Sequence, residues 1–247
     1  MKPMSLSPAD RLIVAADFKP DVEYGRLGAK GKVLALARSL EGTGVHLKLN
    51  SVLRACGYDL IDDIHALGLR VFADLKLFDI SETLATDGMF LRQSKPELLT
   101  VACTAGIDAM RALKAQLPDT EVLGVSVLTT FNDDAAQAMF TCSTNEAVMR
   151  LSRLAAQAGV DGLISSAKEA AMLSAEFGLL FSCNTPAIRP TWAIVESDDQ
   201  NPDRVMTPAK AIAAGADRIV VGRPIVQAAN PRDAVIRTLE EIASAVA

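Results

Sequence analysis

Short runs of apolar and β-branched residues recur along the whole chain, and segments with helical spacing separate them. Several runs, such as Leu12–Ala16, are continuously apolar, which is typical of strands buried on both faces of a parallel sheet. Between the runs, Glu146–Ala158 places Val148, Leu151 and Leu154 on one face of a predicted helix. The predicted strands are Leu12–Ala16, Val45–Leu49, Arg70–Leu75, Leu98–Cys103, Val122–Leu128, Gly162–Ser165, Leu179–Cys183 and Arg218–Val221.

This alternation predicts an α/β protein, and eight strand–helix units predict a single (β/α)8 TIM barrel over residues 1–247. A doubly wound open sheet is the alternative. It is disfavoured because the first strand runs into Asp17–Pro20 without a G-x-G-x-x-G turn. Residues 182–207 contain three internal prolines and show little periodicity. They are predicted to form a lid loop after the seventh strand, where many such barrels hold phosphate.

Composition narrows the class of protein. Hydrophobic residues make up 50% of the chain and charged residues 22%, which excludes a disordered or collagen-like protein. A net charge of −5 and an aromatic content of 4% disfavour a nucleic-acid-binding surface. Because the chain has two histidines, a His-rich metal site is excluded.

Cysteine usage and the amino-terminal segment bear on location. The four cysteines are far apart and form no C-x-x-C pair, so they are interpreted as buried, reduced thiols. Residues 1–10 lack the basic start and apolar run of a signal peptide. No apolar run approaches the roughly 18 residues of a membrane span. These features predict a cytoplasmic protein.

Charged residues lie where the predicted strands end, the edge at which barrel enzymes form their active sites. Asp17 and Lys48 end the first two strands, Asp74 and Lys76 lie at the end of the third, and Asp79 follows in the next loop. Asp74 and Lys76 are two residues apart, so both side chains are predicted to face the barrel mouth. A lysine between carboxylates stays charged, which suits proton delivery to developing negative charge better than Schiff-base chemistry. A surface ion-pair cluster is the alternative.

A phosphate site is predicted where the eighth strand gives way to a helix. Gly222 allows a close backbone approach, the N–H groups beyond it can cradle an anion, and Arg223 adds a forked cation. A capping glycine beside a solvated arginine is the alternative. Arg189 and Gln200 lie on the predicted lid, where they either close over the same phosphate or are solvated.

Three further polar residues are candidates for contact with a ligand. Thr129 and Thr130 end the fifth predicted strand, where a hydroxyl can contact a heterocycle or cap the next helix. His46 shares the strand face of Lys48 one layer deeper, and an interior histidine with its hydrogen bonds satisfied is the favoured interpretation.

Taken together, these motifs resemble the orotidine 5'-monophosphate decarboxylases of the shorter bacterial type. The resemblance rests on Asp74–Ile80, Thr185–Pro190, Arg204–Pro208 and Val221–Ile225, preceded by Asp17 and Lys48. It implies decarboxylation of orotidine 5'-monophosphate to uridine 5'-monophosphate and carbon dioxide, a step of pyrimidine synthesis that uses neither a metal nor a cofactor.

The resemblance also assigns roles to individual residues. It implies that Lys76 protonates C6 of the pyrimidine, that Asp74 lies near the substrate carboxylate, and that Lys48 contacts the ribose and holds the charged network. It implies a homodimer in which Asp79 completes the neighbouring subunit's site. The other residues that it implies in binding are Asp17 at the ribose, Thr83 in the loop of Asp79, Thr129 (or its neighbour Thr130) at the pyrimidine, and Arg189, Gln200, Gly222 and Arg223 at the phosphate.

The chain departs from the usual pattern of this family around the intersubunit loop and the lid. Phe78, Ser81 and Glu82 replace the residues most frequent there, and Asn201-Pro202 resembles a short insertion. Ala187 stands where glycine is common, so its turn is expected either to avoid positive φ or to be strained.

Two alternative functions remain open from the sequence. Magnesium-dependent hexulose-phosphate-type aldol lyases resemble this chain in the Asp-x-Lys-x-x-Asp element. They carry an acidic residue where this chain has Lys48, whose charge would repel the cation. A non-catalytic phosphate-binding protein is the second alternative, and it would be expected to have lost some of the charged residues that are all present here.

Overall fold

The computed structural model describes residues 6–178, 180–194 and 206–246. Eight parallel strands pair in sequence order, and the last pairs with the first, so the sheet closes into a barrel. The strands are β1 Leu12–Ala15, β2 His46–Leu49, β3 Arg70–Leu77, β4 Leu98–Ala102, β5 Glu121–Val125, β6 Gly162–Ile164, β7 Ser182–Thr185 and β8 Arg218–Val221. The predicted (β/α)8 TIM barrel is therefore confirmed.

Helices surround the barrel and connect successive strands. They are α1 Pro8–Arg11, α2 Gly25–Ser39, α3 Ser51–Cys56, α4 Asp59–His65, α5 Ser81–Ser94, α6 Ile107–Gln116, α7 Asp133–Phe140, α8 Thr144–Ala158, α9 Ala167–Phe177, α10 Pro208–Ala213, α11 Arg223–Val226 and α12 Pro231–Val246. The helix predicted from Glu146 begins at Thr144, because the Ser143 side chain caps it by accepting the N–H of Glu146. Across the described ranges, every helix is too short or too polar to cross a membrane.

The seventh strand lies further along the chain than predicted. β7 spans Ser182–Thr185, whereas the apolar pattern predicts Leu179–Cys183. The cause is that Ser182 and Asn184 are polar and yet face the barrel interior, where Asn184 accepts a hydrogen bond from Arg218. The first four residues of the predicted lid therefore belong to the sheet, and the loop begins at Pro186.

The barrel interior is layered. A compact apolar layer consists of Ile13, Ala15, Phe72, Leu98, Leu123 and Val220. Below it, where the strands begin, the Arg218 guanidinium donates to both carboxylate oxygens of Glu121 at 2.8 and 3.0 Å. Both side chains are largely buried, and the Ser182 hydroxyl also donates to Glu121. An apolar layer thus separates a buried ion pair at the base from the mouth.

His46 is buried at this base, as predicted, but its Nδ1 has no hydrogen-bond partner among the described residues, so the ring is not fully satisfied as predicted. Its environment favours the neutral ring. Burial, together with the nearby charge of Arg218, lowers the pKa of His46 from 6.5 to about 4. Between these values the unfolded chain binds a proton that the folded protein does not. The neutral His46 ring therefore makes its full contribution to the free energy of unfolding above a pH of about 6.5. As the pH falls toward 4, the free energy of unfolding decreases by about 3 kcal/mol.

Urea unfolding between about pH 7.5 and pH 4 measures this loss. In His46→Gln the corresponding part of the pH dependence is expected to disappear, while other titrating groups contribute equally to both proteins. The same slope in the variant and the parent would contradict the assignment.

Candidate active site

The charged side chains predicted at the barrel mouth meet around Lys48. Its Nζ lies 2.8 and 2.9 Å from the two carboxylate oxygens of Asp17 and 3.4 Å from Oδ2 of Asp74. The side chains of Lys48 and Asp74 are 9% and 11% exposed, whereas that of Asp17 is 45% exposed. Exposed ion pairs are screened by water, but this cluster extends inward from the surface into the barrel.

Lys76 joins the same cluster from the far side of Asp74. Its Nζ lies 2.6 Å from Oδ1 of Asp74. Burial alone would raise the pKa of Asp74, but the ammonium groups of Lys48 and Lys76 and the Thr100 hydroxyl outweigh it and keep this pKa below its ordinary value. Asp74 is therefore ionised at neutral pH, and charges of alternating sign run from Asp17 to Lys76.

An irregularity in β3 positions Lys76, and the alternation of a regular strand does not predict it. Ala73 pairs with Leu99 and Leu77 pairs with Val101, so three residues on β3 lie opposite the single residue Thr100 on β4. Lys76 lies in this bulge with φ at +48°, a conformation that non-glycine residues adopt at an energetic cost. The proximity of Lys76 to Asp74 therefore depends on a bulge and not on the alternation of a regular strand.

A cavity of about 560 Å³ opens at the carboxyl ends of the strands. Phe72, Val125, Ile164 and Val220 form apolar parts of its wall. Of the residues predicted from the sequence, the wall contains Asp17, Lys48, Asp74, Lys76, Thr129, Arg189, Gly222 and Arg223. The fold thus brings together residues from the ends of several strands around one space that is large enough for a nucleotide-sized ligand.

The turn after β8, where phosphate is predicted to bind, offers fewer available backbone N–H groups than the sequence predicts. Gly222 caps α11 with a negative φ, and a Cβ there would meet only Ala15, at 3.7 Å. Packing within the protein therefore does not require a glycine at this position. The open side of Gly222 faces the cavity. Pro224 has no N–H, and the N–H of Ile225 donates to the Gly222 carbonyl at 2.9 Å. The Arg223 side chain, exposed at the start of α11, is the main cation at this turn.

The beginning of the predicted lid is attached to the last helix. The N–H and hydroxyl of Thr191 donate to Oε2 of Glu241 at 3.0 and 2.9 Å. The guanidinium carbon of Arg237 lies 4.7 Å from the centre of the Trp192 ring, which is a cation–π contact. Ala187 adopts φ +63°, so the turn is strained where glycine would not be. Gln200, predicted to contact phosphate, lies outside the described residues.

Two predicted residues lie outside the cavity wall of their own chain. Asp79 is exposed, and its Oδ1 accepts the N–H of Ile80 at 2.7 Å. Thr83 lies in the first turn of α5, whereas the sequence places it in a loop. Neither residue is part of the 560 Å³ cavity. Thr129 is part of it, whereas its neighbour Thr130 is not, and both follow β5, which ends earlier than predicted, at Val125.

Thr100 is a further polar neighbour of the cluster, and it is not among the site residues predicted from the sequence. It lies on β4, is fully buried, and bonds both to Asp74 and to the backbone of Lys76. Its signal in the sequence is a single hydroxyl within the otherwise apolar strand Leu98–Ala102. Within the described ranges, no group of three His, Cys, Asp or Glu side chains is placed to hold a metal ion.

Together, the fold and the site define a (β/α)8 barrel with cationic groups after β7 and β8 and alternating charges at the ends of β1 to β3. Such a mouth is typical of barrel enzymes that act on phosphorylated small molecules. The model of the orotidine 5'-phosphate decarboxylase / HUMPS family matches residues 10–237, and the chain belongs to this family.

Individual relatives agree with the family assignment. The chain is 35% identical to the orotidine 5'-phosphate decarboxylase of Saccharophagus degradans over 97% of this chain and 96% of that protein. It is 37% identical to the protein of the same name from Afipia carboxidovorans, over 97% of each. The crystal structure of orotidine 5'-phosphate decarboxylase from Lactobacillus acidophilus superposes with a TM-score of 0.78 at 27% identity, covering 94% of this chain and 99% of that one.

Proposed function

We propose that this protein decarboxylates orotidine 5'-phosphate to uridine 5'-phosphate and carbon dioxide, a step of pyrimidine synthesis. The observation that carries the proposal is the alternation of charge along Asp17, Lys48, Asp74 and Lys76 within one cavity. Membership of the family and the names of its near relatives supply the reaction.

The chemistry requires fixed positive charge at the reacting carbon. Loss of carbon dioxide from C6 leaves an electron pair in the plane of the ring, where the ring π-system cannot delocalise it. An ammonium that is already oriented stabilises this carbanion without reorganisation, and more effectively where apolar walls exclude water. Lys76, held 2.6 Å from Asp74, is suited to this role and to transferring a proton from Nζ to C6.

The remaining residues bind and orient the substrate in this proposal. Lys48 bridges Asp17 and Asp74, and we assign Asp17 and Lys48 to the ribose and Thr129 to the pyrimidine. Arg189, Gln200, Gly222 and Arg223 are assigned to the phosphate. Because the phosphate is remote from C6, its binding energy is available to close the lid and to orient the ring.

A magnesium-dependent aldol lyase is the second candidate, and the pairing of Lys48 disfavours it. Both carboxylate oxygens of Asp17 and Oδ2 of Asp74 already accept hydrogen bonds from Nζ of Lys48. A divalent cation at these oxygens would have to compete with this ammonium. A non-catalytic phosphate-binding protein is disfavoured because the charged groups that the chemistry needs lie together in the cavity.

The loss of orotidine 5'-phosphate absorbance in the presence of EDTA tests the proposed function. Conversion to uridine 5'-phosphate without added metal is the expected result. No conversion in EDTA, combined with magnesium-restored aldol cleavage of a hexulose phosphate, would assign the chain to the lyase instead. Inactivity in both assays would refute an enzymatic role in either reaction.

We also propose that two copies form a homodimer in which Asp79 and Thr83 serve the neighbouring site. Asp79 lies outside the cavity of its own chain, and Phe78 and Ile80 on either side of it are 65% and 70% exposed. Adjacent exposed apolar side chains are typical of a protein–protein contact.

The rest of the proposal concerns the lid and the location. We propose a lid over 186–207 on a single-domain barrel. We also propose a cytoplasmic location, which the four free cysteines support. Cys56, however, is half-exposed and not buried as predicted.

Arg223→Ala is expected to lower kcat/KM for orotidine 5'-phosphate roughly 30- to 1000-fold where bound phosphate buries the contact, a loss of about 2–4 kcal/mol of transition-state stabilisation. The guanidinium is the principal side-chain cation at the turn after β8, so its loss removes a charge-assisted contact to phosphate. Steady-state kinetics with orotidine 5'-phosphate and with the nucleoside orotidine measures the effect.

With orotidine, which has no phosphate, the parent and Arg223→Ala are expected to react equally slowly. Arg150→Ala is a matched control, because Arg150 is an exposed residue of α8 that pairs with Glu146 within its own helix and is not part of the cavity wall. An equal loss of kcat/KM for both substrates would contradict a role for Arg223 at the phosphate.

A further inference from the structure

Thr100 connects two residues of the charged cluster through one hydroxyl. Its Oγ1 accepts the backbone N–H of Lys76 at 2.8 Å and donates to Oδ1 of Asp74 at 3.0 Å. The direction of both bonds is fixed, because the amide can only donate and the ionised carboxylate can only accept. The single proton of the hydroxyl is therefore committed to Asp74.

The bond to Lys76 replaces a bond that the bulge removes. Between the pairs Ala73–Leu99 and Leu77–Val101, the backbone of β3 leaves the regular ladder with β4. A buried N–H without a partner is destabilising, and a left-handed conformation at a non-glycine residue adds a further cost. The Thr100 hydroxyl satisfies the N–H of the residue that adopts φ +48°.

The bond to Asp74 distributes the two lysines between the two carboxylate oxygens. Oδ1 of Asp74 receives Thr100 and Lys76, while Oδ2 faces Lys48. Rotation of the carboxylate would break the Thr100 bond, so the hydroxyl holds the plane of Asp74 as well as the backbone that carries Lys76.

We propose that Thr100 is a positioning residue for the decarboxylation, because its hydroxyl holds the left-handed backbone of Lys76 and the plane of Asp74 that together place Nζ. This inference rests on the proposed function, in which Nζ of Lys76 meets the reacting carbon. Thr100 itself is fully buried beneath the cluster and is not part of the cavity wall. Its loss is therefore expected to affect the chemical step more than substrate binding.

Thr100→Val removes the hydroxyl and keeps the branched shape, whereas Thr100→Ser keeps the hydroxyl. We expect kcat of Thr100→Val to fall about 100-fold, with KM for orotidine 5'-phosphate and Kd for uridine 5'-phosphate within about threefold of the parent. Thr100→Ser is expected to stay within about threefold in kcat. If Thr100→Val does not fold, Thr100→Ala removes the hydroxyl with less steric demand.

Thr120→Val is the matched control. Thr120 is also buried, and its hydroxyl donates to the Pro96 carbonyl at 2.8 Å where β5 begins, at the opposite end of the barrel. This variant is expected to lose stability without a change in kcat. Parental kcat in Thr100→Val, or equal losses in Thr100→Val and Thr100→Ser, would overturn the inference.

A separate readout distinguishes failure of this inference from failure of the proposed function. A parent that does not convert orotidine 5'-phosphate refutes the function and leaves the positioning role to be decided by a crystal structure of Thr100→Val. Lys76 released from positive φ, or its Nζ moved away from Asp74, would support the role of Thr100. An unchanged Lys76 would overturn it, whatever the turnover.

Discussion

Lys76→Ala is expected to lower kcat for orotidine 5'-phosphate at least about 10⁴-fold, because one group supplies both charge stabilisation and the proton. The neighbouring ammonium of Lys48 cannot take over without moving, because its Nζ is held between Asp17 and Asp74. The fold is expected to persist, because the Lys76 side chain is partly exposed and Asp74 retains its contacts with Lys48 and Thr100.

Stopped assays at high enzyme concentration measure the residual rate, and thermal unfolding checks the fold. Lys210→Ala is the matched control, because Lys210 is an exposed lysine of α10 and is not part of the cavity wall. Binding of uridine 5'-phosphate to Lys76→Ala shows that the cavity is intact. Turnover within about tenfold of the parent would remove Lys76 from the chemistry.

Asp79→Ala is expected to be nearly inactive alone and to regain activity when mixed with Lys76→Ala. In the proposed homodimer, each site uses Lys76 of one subunit and Asp79 of the other. A mixed dimer therefore contains one site with both groups and one site with neither. Random exchange makes half of the dimers mixed, so the mixture is expected to reach about a quarter of the parent activity.

The control is a mixture of Lys76→Ala with the double variant Lys76→Ala/Asp79→Ala, in which no subunit contributes an intact lysine. It is expected to stay inactive at every ratio. Sedimentation of the parent measures the assembly independently of activity. A monomeric parent, or a Lys76→Ala and Asp79→Ala mixture without added activity, would contradict the shared site.

The sequence predicts the barrel well because most strands are apolar enough to be recognised locally. β1 and β8 lie within one residue of their predicted ranges, since both faces of these strands are buried. The bounds of β7 are not predicted in this way, because its inward residues, Ser182 and Asn184, are polar and belong to the base of the barrel. Their burial depends on Glu121 and Arg218, which are distant in sequence and become neighbours only when the barrel closes.

The charged cluster is predictable in membership but not in detail. A closed barrel brings the carboxyl ends of its strands together, so Asp17, Lys48 and Asp74 can be grouped from strand ends alone. The left-handed conformation of Lys76 depends on how β3 is paired with β4, and local sequence does not specify that register. For the same reason, Thr100 could be noticed as a polar residue in an apolar strand, but its partners could not be assigned.

The ion pair at the base of the barrel constrains how this sequence can diverge. Glu121 and Arg218 are 97 positions apart, yet each neutralises the charge of the other where little water reaches. Changing one alone leaves a buried charge without its counterion, at a cost of about 3–5 kcal/mol, whereas an apolar pair of similar volume can be neutral. A sequence in which only one of the two residues has changed is therefore poorly folded. Descendants of this sequence are expected to exchange both residues together or neither.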